Sequence, residues 1–247
     1  MVPVDLRERG EVIAWVAAHK PDAVVHAAAY RDPDFCEREP AASRVLNVDS
    51  TQTLVDALPT DVPLLYISSD YVFDGKNPGY GENAARGPVN TYGEQKMASE
   101  DIVLARSASI VLRIPVLVGQ DLPGKPGFIT KMLESVASPE PIELDNTSMR
   151  FPTSIDDVAA AIRFLLEEKA TGIFHASSTH GGTRYALNRE VADFIGASYD
   201  HVTPAAEMVQ RGATRPTNSQ LDPTKIQALG FAGFRDLTTI LAEINLG

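Results

Sequence analysis

Residues 64–75 read "LLYISSDYVFDG", an apolar run that breaks into hydroxyls and carboxylates and closes on glycine. With Pro63 ahead of it, the run through Ser69 is continuous enough to be a strand buried on both faces, as in a parallel sheet covered by helices. In such sheets ligands bind beyond the carboxyl ends of the strands, and Ser69 and Asp70 stand at one of these ends. Downstream, "TYGEQK" (91–96) opens a helical pattern in which Tyr92 and Lys96, spaced i and i+4, share a face. An ammonium beside a phenol favours phenolate and should lower the tyrosine pKa towards working pH. A tyrosine tuned in this way exchanges a proton with a carbonyl oxygen, and a neighbouring serine hydroxyl orients the same oxygen. The bland alternative is a half-buried tyrosine with a solvated lysine one turn on. Ser69, at a strand end ahead of that helix, favours the chemical reading.

Outward from this stretch, strands and helices alternate. "RGEVIAWVAAHK" (9–20) has helical spacing of Val12, Ile13, Val16 and Ala17, and "DAVVHAAA" (22–29) reads as a second buried strand. An amphipathic helix over 39–58 follows, then the strand at 63–69, a polar loop at 74–90, a helix over 91–106 and a strand over 108–119. The second half is less regular. A Pro/Gly loop at 123–128 and a short helix at 130–137 precede a helix at 154–168 with Ser154 as N-cap. "GIFHASS" (172–178) reads as a strand, and a helix over 184–197 ends at Gly196. The alternation predicts an α/β fold, a Rossmann-like parallel sheet. Its core is assigned to 1–118 and 144–168, and a smaller, irregular substrate-binding module to 119–143 and 169–247.

The 247 residues carry a net charge of −11, which argues against nucleic acid or an anionic membrane as partner. No apolar run approaches the roughly 20 residues of a membrane span. No signal peptide is visible, and a single cysteine, Cys36, fits a reducing compartment, so a cytoplasmic location is expected. The five histidines are scattered without ligand spacing, and no metal is expected.

The segments "VVHAAAY", "LNVDST", "YISSDYVFDG", "TYGEQK", "VLRIP", "RFPTSIDDVA" and "RPTNSQLD" together resemble the extended short-chain dehydrogenase/reductase family. The resemblance is to its dTDP-4-dehydrorhamnose reductase branch, which also holds the regulatory beta subunit of methionine adenosyltransferase. It implies Ser69, Tyr92 and Lys96 as catalytic residues and NADP or NAD as cofactor. His26, Ala27, Ala28 and Ala29 would lie on the pyrophosphate side, Asp5 and Leu6 beside the adenine, and Lys96, Arg113, Ile114 and Pro115 beside the nicotinamide riboside. Asp70, Tyr71 and Val72 would border a small-molecule substrate, and Arg215 would face its phosphates or carboxylate. Blander roles are a strand-capping His26, an Arg215 paired with a surface acid and a locally bonded Asn47.

The family normally opens with a strand, a G-x-x-G-x-x-G turn, a helix and a second strand, which cradle the pyrophosphate. Here "MVPVDLRERGEV" matches the family's third strand and the residues just after it, so those opening elements have no counterpart, and "GQDLPGKPG" (119–127) has the wrong spacing to replace them. Cofactor binding is therefore expected to be weak or absent. "VPVD" (2–5), another copy of the chain or a partner chain would cover the open flank. Three functions fit. The first is an NAD(P)H-dependent reductase of a keto group or related electrophilic carbon in a small polar metabolite or nucleotide sugar. The second is a non-catalytic binding or regulatory protein, and the third a hydride-independent isomerase, dehydratase or cyclase.

Overall fold

The apolar run at 64–69 lies inside the sheet. In a computed structural model describing residues 4–120, 126–205, 207 and 212–244, strand Leu64–Ser69 is buried along its whole length. It lies between Val24–His26 and Ser109–Ile114, and Gly172–His175 completes a four-stranded sheet. All three pairings are parallel. Alternation along the strand sends Leu65 and Ile67 to one face and Leu64 and Tyr66 to the other. The first pair packs with Ile110, Leu112 and, from helix Ile155–Glu167, Val158, Ala161 and Leu165. The second packs with Val111, with Val16 of helix Arg9–His19 and with Val103 of helix Thr91–Leu104. Each such leucine or isoleucine contributes about 1.5–3 kcal/mol by leaving water.

The structure corrects the assigned domain boundaries. Gly172–His175, placed in the smaller module by the sequence pattern, is a strand of the main sheet beside Ser109–Ile114. With Ile155–Glu167 between these two strands, it completes a parallel crossover that buries Phe174 against the helix. Ile226, late in the chain, packs in the same cluster. Conversely, Leu144 and Asp145, assigned to the core, belong to strand Ile142–Asp145, which pairs in parallel with Val202–Ala205. A separate cluster forms where Ile129 and Met132 meet Leu187 and Val191, with Leu237 and Ile240 closing it.

Several element bounds shift for identifiable reasons. The 108–119 strand is two pieces, Ser109–Ile114 and Leu117–Val118, interrupted at Pro115, which has no N–H for a ladder. The 22–29 strand pairs only over Val24–His26, and its continuation is unladdered. Of "VPVD", Val2 and Pro3 lie outside the described residues. Val4 is not in a strand but lines, with Leu6, a groove along the Val24–His26 edge.

The 39–58 helix contains a π-helical turn, Val45–Asp49, between Pro40–Arg44 and Ser50–Ala57. This turn carries the buried Asn47, whose side chain does not bond locally as the bland reading had it. It accepts from the Tyr30 N–H at 2.7 Å and donates to the Tyr30 carbonyl at 3.0 Å and to Gln95 at 2.8 Å. Among the described residues no helix is long and apolar enough to cross a membrane.

Candidate functional site

At the carboxyl ends of the strands lies a cleft of about 450 Å³. Its floor is Ile67, Ser68 and Ser69, one wall is Tyr92 and Lys96, and Ile114–Pro115 close the sheet side. The opposite wall is apolar and comes from helix Ile155–Glu167, through Ile155, Val158, Ala159 and Ile162. Ala27, Ala29 and Arg31 form a further edge.

Tyr92 and Lys96 are placed by the start of their helix. Asn90 is its N-cap: the side-chain oxygen accepts from Gly93 N–H at 2.9 Å, and the amide donates to Thr214 carbonyl at 2.6 Å. Gly93 sits against the strand end. A Cβ there would lie 2.2 Å from the Tyr71 carbonyl oxygen and 2.8 Å from Pro88 Cβ. Backbone cannot yield as a flexible side chain can, so Gly93→Ala should push the helix start outward. We expect a stability loss of about 1–3 kcal/mol or more. Urea unfolding checks this, and an unchanged midpoint would show that the helix start has slack.

One turn on, Lys96 is buried, with Nζ 2.8 Å from the Ile67 carbonyl that accepts from it, 4.7 Å from the Tyr66 ring centroid and 5.9 Å from that of Tyr92. Burial pulls its pKa down to about 8, with Glu100 pulling the other way. The sequence expectation for Tyr92 is corrected here. Its phenol is not lowered by Lys96 but pushed above the ordinary tyrosine value by burial, with the Ser69 hydroxyl drawing it partly back. Tyr92 is thus a neutral acid over the physiological range. Ser69 Oγ donates to Asp70 at 3.0 Å and accepts from Tyr71 N–H at 3.2 Å. Asp70 also receives Ser219 Oγ, and burial raises its pKa against these hydrogen bonds.

Of the residues singled out in the sequence, Ser69, Asp70, Tyr71, Tyr92, Lys96, Ala27, Ala29, Ile114 and Pro115 meet in this one cleft. Others do not. Arg113 is 1% exposed and lies beneath the sheet end, where Nε and Nη2 pair with Glu100 at 2.8 and 2.7 Å. That carboxylate, thirteen residues away, engages its guanidinium. Val72 is fully buried beside Phe73, Tyr80 and Leu221, a core position rather than a substrate border. The His26 ring is buried against Thr51 Oγ1 at 3.0 Å, and burial with nearby Lys96 lowers its pKa to about 4. A neutral, buried imidazole offers a phosphate no charge. Ala28 and Leu6 face the edge groove instead of the cleft, and Asp5 pairs with Arg7 at 2.5 Å. Arg215, beside Tyr71, pairs with Asp34 at 2.9 Å, the blander of the two roles its sequence context allows.

The sequence reading missed four features. These are the clamp made by Asn47, the acid Glu100 one turn beyond Lys96, the apolar wall at 155–162 and Arg31. A signal existed for Glu100, because Tyr92, Lys96 and Glu100 continue a single i+4 series. Among the described residues no group of His, Cys, Asp and Glu could hold a metal ion.

Comparison with known proteins gives consistent relatives. The sequence profile described as RmlD substrate binding domain matches residues 2–245. Methionine adenosyltransferase 2 subunit beta of Pongo abelii is 37% identical over 235 residues, 92% of this chain and 70% of that protein. A dTDP-4-dehydrorhamnose reductase of Streptomyces griseus is 31% identical over 250 residues, 97% and 81% of the respective chains. Among solved structures, the Bacillus anthracis dTDP-4-dehydrorhamnose reductase in complex with NADP superposes with a TM-score of 0.88 at 25% identity. The match covers 97% of this chain and 85% of that one.

Proposed function

The chain belongs to the RmlD substrate binding domain family of extended short-chain dehydrogenases/reductases, and from that premise we propose that it is an NAD(P)H-dependent reductase of a nucleotide-sugar ketone. The observation that carries the reading is the meeting of Ser69, Tyr92 and Lys96 in one cleft at the carboxyl ends of a parallel sheet.

The residues present fit the riboside end of a nicotinamide dinucleotide. Lys96 has three donors and spends one on the Ile67 carbonyl, leaving two for ribose hydroxyls. Ile114 and Pro115 offer an apolar edge and backbone carbonyls. The cleft volume falls in the range of roughly 300–1,000 Å³ usual for small-molecule sites. The bound cofactor would supply the hydride. The chain supplies the proton: Tyr92, held neutral by burial, gives it to the ketone oxygen, so the carbonyl becomes a secondary alcohol. Ser69 would turn its hydroxyl from Asp70 to the same oxygen and orient it.

A second reading is favoured by the relatives at 37% identity, which are by name subunits of methionine adenosyltransferases. In that reading the cleft binds a dinucleotide without turning it over, and the chain serves as a subunit of such an enzyme.

Titration of the purified chain with NADPH and NADH, followed by assay on a dTDP-4-dehydro sugar, separates the two. We expect saturable dinucleotide binding and oxidation of the dinucleotide in step with ketone loss. Binding without turnover, together with co-elution with a methionine adenosyltransferase catalytic subunit, would replace the first reading by the second. Absence of binding at millimolar dinucleotide would defeat the reductase.

A further inference from the structure

Tyr92, Lys96 and Glu100 stand one turn apart on the same face of helix Thr91–Leu104. The first two line the cleft, and Glu100 is fully buried outside it. Its carboxylate accepts from three residues. Oε1 takes Ser68 Oγ at 2.5 Å and Arg113 Nε at 2.8 Å, and Oε2 takes Arg113 Nη2 at 2.7 Å and Arg86 Nη1 at 3.1 Å. Ser68 and Arg113 are register partners on neighbouring parallel strands. One carboxylate thus ties the helix to two strand ends at once. We propose that Glu100 is a positioning residue for the reduction: it fixes the helix bearing Tyr92 and Lys96 against the strand end bearing Ser69, so that phenol and hydroxyl meet one carbonyl oxygen. The proposal rests on the reductase reading above and deepens it.

The tie falls where it constrains most. Ser68 stands between Ile67, whose carbonyl accepts from Lys96 at 2.8 Å, and Ser69. Adjacent residues of the strand are therefore held by the same helix, from positions one turn apart along it. A slide or roll of the helix that moved Tyr92 relative to Ser69 would break both bonds. The arginine is fixed as well. Its Nη1 donates to the Glu82 carbonyl at 3.3 Å and lies 3.3 Å from His175 Nε2, and the guanidinium stands 5.0 Å from the Phe73 ring centroid.

Stability alone does not explain the arrangement. Desolvating a carboxylate and a guanidinium offsets most of their attraction, and well-packed apolar residues in place of a buried ion pair are often as stable or more so. What the pair supplies is direction, because a carboxylate and a guanidinium fork meet in one fixed geometry. Arg86 is the partly exposed member and also reaches the surface acid Asp101 at 2.7 Å.

The test combines steady-state kinetics on a dTDP-4-dehydro sugar, NADPH calorimetry and urea unfolding, on wild type, Glu100→Gln, Ser68→Ala and the double variant. Glu100→Gln should lower kcat by about 10- to 10²-fold, the scale of an ångström-sized misplacement. Ser68→Ala keeps the Arg113 pair, and decides the matter if Glu100→Gln fails to fold. It should lower kcat about 3-fold or more. NADPH affinity and KM should stay within about threefold of wild type in both. The two losses should not add in the double variant, since both variants break the same bond. A structural role alone would lower the urea midpoint and leave the kcat of the folded protein unchanged. Wild-type kcat in either folded variant therefore overturns the proposal, as do fully additive losses, which would mean that Glu100 acts apart from Ser68. A wild type that reduces no such sugar overturns the reductase reading, and the proposal with it.

Discussion

Tyr92→Phe should lower turnover of a nucleotide-sugar ketone by roughly 10²- to 10⁴-fold, the range attributed to a positioned general acid. Dinucleotide affinity should stay within about threefold of wild type, since the lost atom acts on the reacting oxygen and uniform binding is untouched. The fold should survive, because the ring remains. Its edge contact with Tyr71, with centroids 5.8 Å apart, does not involve the hydroxyl. The pH profile sharpens the test. Burial keeps the phenol protonated well above neutrality, so wild-type reduction should not lose its acid form anywhere between about pH 6 and 9. The measurement is steady-state kinetics beside calorimetry on the same preparations. Unchanged turnover in Tyr92→Phe would remove the proton-donor role, and with it the acid–base alternatives that share this tyrosine.

The protonation state of Tyr92 shows where sequence reading stops. Spacing predicts that Tyr92 and Lys96 share a helix face, and they do. It does not predict that the ammonium turns away to the Ile67 carbonyl while both groups lose water. Desolvation dominates each, raising the phenol and lowering the amine, the reverse of the pairing expected for an exposed helix.

The Arg113 side chain is placed by a related effect. It stands at the right strand end, yet its role is decided by Glu100, which comes from a neighbouring helix. Periodicity marks the face a residue lies on and leaves its partner open. Gly172–His175 is misplaced by its pattern because four residues with two buried side chains, Phe174 and His175, look alike in a sheet and in a peripheral module. Only the partner strand Ser109–Ile114 distinguishes them. What is legible comes from long, strongly patterned segments: the buried run at 64–69 and the helices at 9–19, 91–104 and 155–167. The cleft follows because ligands gather at strand ends in parallel sheets. Arg31, which lines the cleft with Ala29, escapes such a reading.

Lys96→Met should abolish turnover and yet leave the chain no less stable near neutral pH. Lys96 is 3% exposed, and burial holds it at about 8 against an ordinary 10.5. Keeping it charged in the folded chain at pH 7 therefore costs about 3 kcal/mol. The substitution removes that cost but strips the Ile67 carbonyl of its donor, a loss of about 1–3 kcal/mol. The sign with pH is fixed by which state holds the proton. Between pH 8 and 10.5 the unfolded chain keeps the lysine proton while the folded chain has released it, so wild type gains stability as pH rises through that window. Methionine gains nothing there. The stability of Lys96→Met relative to wild type should thus be greatest at and below pH 8 and fall by up to about 3 kcal/mol by pH 10.5. Urea unfolding of both proteins at about pH 7 and about pH 10 measures the difference, in which all other titrating groups cancel. A difference independent of pH would mean that the amine reaches water in the folded state. The predicted dependence would mean that a charge is kept in the interior at a cost to the fold. Its two spare donors at the floor of the cleft are then the reason for it, as is common where stability yields to a site.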